Sequence, residues 1–176
     1  MALQLPERRS RIALALAFGL AAVAAVPAAC AQVDIPRMDP RQCHGQAVIT
    51  PLQPLAILTA RGAARFKVEV AETDQQHAYG LMCRRRLAPD RGMLFDFHTP
   101  TDGVNFWMRN TLIGLDIVYI APNGAVVSVA RNATPMDETP IPAGGTIRAV
   151  LEIAAGRAAQ LGVRPGDKVV NRIFGR

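Results

Sequence analysis

At 176 residues, half of them hydrophobic, the chain is long enough for one domain with a real core and too short for two. Its formal net charge of +6 is spread along the sequence, which fits solubility and argues against the concentrated basic footprint of a nucleic-acid-binding protein. P-loop, GxGxxG, GxSxG, HExxH and CxxC patterns are all missing, so phosphate cradles, nucleophile-elbow hydrolases and the commoner zinc frameworks are set aside.

The N-terminus reads as a secretory signal peptide over residues 1–31. Arg8, Arg9 and Arg11 precede an apolar run over residues 12–26, and Pro27 and the small residues 28–31 follow. That run has 15 residues, short of the roughly 20 a spanning helix needs. Reading Ala29-Cys30-Ala31 as an A-x-A site predicts cleavage after Ala31 and a periplasmic or secreted protein beginning at Gln32. The alternative is a lipoprotein anchored through Cys30, although Pro27 stands where an aliphatic residue is usual. Arg8-Arg9 adds a faint twin-arginine signal. No later stretch is long and apolar enough to span a membrane. Losing residues 1–31 removes three Arg and one Glu and leaves a charge of +4.

Residues 32–54 carry Pro36, Pro40, Pro51 and Pro54 without a hydrophobic period, which predicts an extended arm. Residues 55–176 form the single domain. Within it, residues 66–70 alternate apolar and charged as a half-buried strand. Thr73 and Asp74 are N-caps for a short helix through Met82, whose last turn Gly80 loosens. Residues 93–97 and 104–109 alternate as strands. Residues 115–120 are apolar on both faces apart from Asp116, which predicts a central strand. Ala121-Pro122-Asn123-Gly124 is a hairpin turn into a strand over 125–130. Residues 132–145 hold three Pro and two Gly and read as a long loop. A strand over 146–153 leads to a short helix over 154–161 that ends at Gly162. Pro165-Gly166-Asp167 turns the chain into a last strand over 168–173. The sum is a mainly β fold: a small antiparallel barrel or strongly twisted sheet with two short helices.

After cleavage two cysteines remain, Cys43 and Cys83. In an oxidising compartment they are expected as a disulfide pinning the arm to the domain; thiol binding of a metal is the alternative. His44, His77 and His98 are scattered, so neither metal site nor cofactor is expected.

Alternation sorts the candidate site residues. Val104, Phe106 and Met108 share one strand face, while Asn105, Trp107 and Arg109 share the other. An indole flanked by an amide and a guanidinium lines a groove for a flat or sugar-like ligand, or else packs under a loop and hydrogen-bonds through its N–H. Asp116 in its apolar strand needs partners, which Asn110 and Thr111 are placed to supply. It is then either a structural acceptor or a general base. Arg84 either binds an anion or pairs with Asp96 or Glu72. Arg85 and Arg86 follow the helix, where cations meet open carbonyls.

Four of these segments form a recognisable set: GLM-x-R (80–84), RGMLFDF (91–97), FWM-x-NT (106–111) and LDIVYI (115–120). With the late Pro-Gly-Asp, the chain from Phe66 to Val170 resembles the family called domain of unknown function 192. The resemblance implies that Arg84 belongs to the signature and Arg85 and Arg86 do not. Gly114 stands where that family usually has Pro, which implies a less rigid loop. It implies no biochemistry. From the residues themselves the expected function is a periplasmic ligand-binding or accessory module with an unknown small molecule or protein as partner and no nucleic acid. Arg84, Asn105, Trp107, Arg109, Asn110 and Asp116 are its candidate binding residues. A hydrolase using Asp116 and a purely structural or interaction domain are the alternatives.

Overall fold

The computed structural model describes residues 35–175, so the expected signal peptide, its cleavage site and Cys30 lie outside the described residues. The elements in chain order are β1 (Gln53–Thr59), β2 (Gly62–Ala71), α1 (Asp74–Tyr79), β3 (Arg91–Thr101), β4 (Asn105–Phe106), β5 (Leu115–Ile120), β6 (Val126–Ala133), β7 (Ile141–Pro142), β8 (Ile147–Ala154), α2 (Arg157–Leu161) and β9 (Lys168–Val170). A 3₁₀ turn over Arg172–Phe174 ends the described chain. Seven strands form one sheet in the order β6-β5-β8-β3-β2-β1-β9, and β4 pairs separately with β7. Ala125 at the foot of β6 bridges Lys168 of β9, so the two edges approach and the sheet curls into a half-barrel. The mainly β reading, with two short helices, is what the chain adopts.

Most neighbours are antiparallel; β2 and β3 run parallel. Parallel neighbours cannot be joined by a tight turn, so residues 72–90 must cross over the sheet. That crossover carries α1 and the GLM segment. Leu81 packs with Ala71, Met93, Phe95, Met108, Ile117, Tyr119 and Val150 in one hydrophobic layer. Leu55, Ile57, Phe66, Val68, Leu94, Val118, Ile120, Leu151, Ile153, Ala158 and Val169 form the other layer. Strands β5 and β8 are therefore covered on both faces, the condition for apolar runs without polar alternation.

Several boundaries differ from the sequence expectation, each for a local reason. β1 was hidden by Pro51 and Pro54, yet Leu55 and Ile57 alternate inward along it. Helix α1 ends at Tyr79 and not Met82, because Gly80 takes φ 47° and turn-type bonds follow through Arg84. The expected strand over 104–109 shrinks to β4, since Met108 N–H turns to the Asp137 carbonyl and Asn110 sits at φ 56°. Its partner β7 interrupts the expected loop over 132–145. β8 runs one residue further than expected, so α2 begins only at Arg157 behind Gly156. β9 stops at Val170, where Asn171 caps the 3₁₀ turn.

The arm from Ile35 onward is docked. Ile35 is buried with Met82 and Cys83, beside Met38, Cys43, Ala78 and Tyr79. Asn110, fully buried, accepts from Met38 N–H (2.8 Å) and donates to the Pro36 carbonyl (2.9 Å). Gly45 lies so close to the GLM backbone that a Cβ there would stand 2.3 Å from the Met82 carbonyl oxygen. Cys43 and Cys83 are joined by a disulfide with Cα atoms 5.3 Å apart and 40 positions between them in sequence. Closing a loop of that length stabilises the fold by about 4 kcal/mol through chain entropy. The expected outcome is that Cys43→Ser lowers unfolding free energy by an amount of that order in chemical denaturation. Thiol titration of the unreduced wild type should find no free Cys43 or Cys83.

Candidate functional site

Buried carboxyl groups are costly unless partnered, so each is a question about what surrounds it. Among the described residues four acidic side chains are buried: Glu69, Asp96, Asp116 and Glu152. Glu69 Oε2 accepts from Arg84 Nη2 (2.9 Å) and from Ile49 N–H (2.8 Å). Asp96 takes a two-pronged contact from Arg148 (2.6 and 3.1 Å) and the His98 N–H (2.8 Å). Burial alone pushes the Asp96 carboxyl up, but the bonds from Arg148 and from His98 outweigh it and hold it below the ordinary value.

Asp116 is fully buried on β5, on the layer of Val118 and Ile120. Its Oδ1 accepts from Asn132 N–H (2.8 Å) and its Oδ2 from Ala158 N–H (2.7 Å). The first bond holds β6 at a residue with φ 54°, and the second caps α2, whose own N-cap, Gly156, has no side chain to do so. The partners are thus neither Asn110 nor Thr111, and both oxygens are committed to backbone. Similarly, Arg84 pairs with Glu69 and with neither Asp96 nor Glu72.

Glu152 differs from the other three. It lies on β8 at 5% exposure, paired across to Met93 of β3 and Ile117 of β5. Among the described residues no hydrogen bond or cation offsets its burial, which pushes its carboxyl up to about 8. The side chain faces a small cavity of about 100 Å³. The walls come from the GLM segment (Gly80, Leu81, Met82), from α1 (His77, Tyr79), from β3 (Phe95) and from the 105–111 stretch (Asn105, Phe106, Trp107, Thr111). Phe106 stands edge-on to both Phe95 (5.1 Å between centroids) and Tyr119 (6.0 Å). The Tyr119 hydroxyl donates to the Ile141 carbonyl, and burial first, then the Glu152 charge, raises it far above its ordinary value. Gly80 is required at the wall: besides its positive φ, a Cβ there would touch the Phe95 ring at 3.0 Å.

Of the residues expected from sequence, Asn105 and Trp107 line this cavity. Arg109 backs it: its guanidinium lies 4.2 Å from the Trp107 ring centroid, bonds Glu138 Oε2 through Nε (3.0 Å) and Nη2 (2.8 Å), and reaches the Ile35 carbonyl. Trp107 remains 46% exposed. Asn110 serves the arm, Arg84 serves Glu69, and Asp116 lies on the opposite layer from Glu152. Sequence reasoning missed Glu152, His77 and Thr111. Thr111 sits in the FWM-x-NT motif and was legible there; Glu152 carried no signal but its charge within a strand. A roomier cleft of about 570 Å³ along β1, β2 and β9 is lined mainly by apolar groups such as Pro54, Leu55, Phe66 and Val170.

A curled β half-barrel whose crossover closes a small cavity over an unpartnered carboxyl is the class of protein these features define. The chain belongs to the DUF192 family, described as "Uncharacterized ACR", whose model matches residues 56–171. Among solved structures, it is similar to a protein of unknown function from Novosphingobium aromaticivorans DSM 12444. The two are 44% identical, with 73% of this chain and 91% of that one covered and a TM-score of 0.66. It is also similar to a protein from Sinorhizobium meliloti 1021 described as a candidate transcription regulator. There the identity is 37%, the coverage 73% and 99%, and the TM-score 0.69. No curated protein matches the chain in sequence.

The elevated Glu152 carboxyl makes stability depend on pH in a set direction. Below the ordinary value of 4.5, folded and unfolded chains both carry the proton and nothing is lost. Between there and about 8 the unfolded chain ionises while the folded chain stays protonated, so stability falls across that window. Glu152→Gln removes this dependence. Its unfolding free energy relative to wild type is expected to rise from near zero at the acid end to a gain on the order of 4 kcal/mol at the alkaline end, read from urea denaturation across that range.

Proposed function

We propose that this protein is an exported ligand-binding module whose site is the cavity walled by Phe106, Trp107, Thr111 and the GLM segment above Glu152. The observation that carries the reading is the unpartnered Glu152. Three buried acids are matched to donors and the fourth, facing a cavity, is not. A buried carboxyl left unmet in a cavity is a mark of a functional site. Export rests on the N-terminal signal pattern and is supported by the Cys43–Cys83 disulfide, which suits an oxidising compartment. Among the described residues no helix is long and apolar enough to cross a membrane.

The transcription-regulator description carried by the Sinorhizobium relative draws no support from the three arginines nearest the signature. Arg84, Arg109 and Arg148 are paired with Glu69, Glu138 and Asp96, leaving no ordered row of free cations from these three to track a phosphate backbone.

Because Trp107 is the only tryptophan and lines the cavity, its emission reports occupancy directly. A panel of amines, sugars, peptides, nucleotides and metal ions is expected to yield at least one class that shifts Trp107 emission and raises the melting temperature together. An emission and melting temperature unmoved by every class would contradict the reading.

A further inference from the structure

At its buried end the site's unmet hydrogen bonding is mainly that of acceptors. Asn105 Nδ2 donates one N–H to the Gly103 carbonyl (2.9 Å), which leaves its second N–H and its side-chain oxygen to offer. The Thr111 hydroxyl donates to the Arg109 carbonyl (3.3 Å) and keeps its lone pairs. His77 Nε2 lies 3.0 Å from the Ala71 carbonyl, which can only accept, so Nε2 carries a proton. Glu152 adds a carboxyl with no partner. The three lining side chains that can still donate, through the second Asn105 N–H, the Trp107 indole N–H and the Tyr79 hydroxyl, all reach solvent. Around these acceptors stand Phe95, Phe106 and Trp107, whose electron-rich faces favour cations. The ring of Trp107 already holds one, the guanidinium of Arg109, whose charge Glu138 offsets.

We infer that the group this cavity takes is a protonated primary amine, its ammonium seated on an ionised Glu152 between Asn105, Thr111 and the aromatic walls. This rests on the ligand-binding reading above and narrows it to one chemistry. An ammonium has three donors and no acceptor, the complement of the lining. The size agrees. About 100 Å³ is well below the few hundred Å³ of a drug-sized site. The cavity therefore holds the charged end of an amine and a carbon or two of its stem.

Binding is coupled to a proton. Near neutrality Glu152 is mostly protonated in the empty protein, so seating an ammonium releases that proton from the carboxyl to solvent. The other titratable groups around the cavity are His77 and Tyr79 on α1 and Tyr119 on β5, with Tyr119 held by the Ile141 carbonyl. The Arg109–Glu138 pair lies beyond Trp107.

The test uses wild-type protein with propylammonium, its neutral isostere propanol, propionate and a short lysine-bearing peptide, read by Trp107 emission and by calorimetry in two buffers of different ionisation heat. Propylammonium is expected to bind in the millimolar range, as a fragment of about four heavy atoms should, releasing close to one proton per site at pH 7. Propanol and propionate should leave emission unchanged. Glu152→Gln should weaken propylammonium at least tenfold; the wild-type proton count stands independently should that variant misfold. A response to the lysine peptide with none to propylammonium would place the amine on a protein partner, and the reverse would make it a free metabolite. Binding of propanol or propionate equal to that of propylammonium, or without proton release, would overturn the amine assignment while leaving a ligand site. Silence from every compound here and in the broader panel would remove the ligand site itself.

Discussion

One carboxyl on a strand covered from both sides sets the terms for the rest of this structure. β8 sits mid-sheet between β3 and β5, so six of its eight residues are buried. At Glu152 that layer offers neither cation nor hydrogen-bond donor. Two turns of the pleat earlier, Arg148 on the same strand reaches Asp96 of β3 and makes a satisfied pair. The two positions share a strand and differ only in what was placed opposite. Keeping Glu152 buried and unpartnered costs stability at neutral pH, and the surrounding elements determine how buried it stays.

The roof over Glu152 exists because β2 and β3 are parallel. Their crossover must pass over a sheet face, and it passes over this one, with Leu81 sunk into the layer and Gly80 pressed against Phe95. Outside the crossover, the arm straps the same segment. Gly45 runs against the Met82 carbonyl, Gln46 bonds the Gly80 carbonyl (2.9 Å), and the disulfide fixes Cys83. The 105–111 stretch closes the remaining side, with Met108 and Asn110 anchored inward so that Phe106, Trp107 and Thr111 are presented to the cavity. The family signature is therefore mostly a set of wall and anchor residues, and its density of Phe and Met is packing.

Much of the fold was legible because strand period and turn chemistry are local. The apolar run of β5, the Pro-Asn-Gly turn into β6 and the Thr73 cap of α1, with its reciprocal Gln76 bonds, stand where sequence put them. What failed depended on distant partners. β1 was masked by flanking prolines, and β4 and β7 are two-residue strands that exist only because each pairs with the other. In the site, alternation set the exposed Asn105 and Trp107 apart from the buried Met108, but Phe106, expected with Met108, lines the cavity beside them. The same rule hid Glu152: in Arg148-Ala149-Val150-Leu151-Glu152 the charges fall on one face, which reads as solvent-facing until a crossover from elsewhere in the chain covers it. Asp116 misled in the opposite way. An acid in an apolar strand advertises chemistry, yet its oxygens cap α2 and hold β6.

A ligand site at this cavity depends on the protonation state of a single side chain. Carbon-13 NMR titration of the Glu152 carboxyl, assigned by its loss in Glu152→Gln, measures it without reference to any ligand. The structure predicts a titration midpoint near 8. A midpoint in the ordinary glutamate range would mean that water or a donor reaches the carboxyl, and the case for a ligand-completed site at Glu152 would fall.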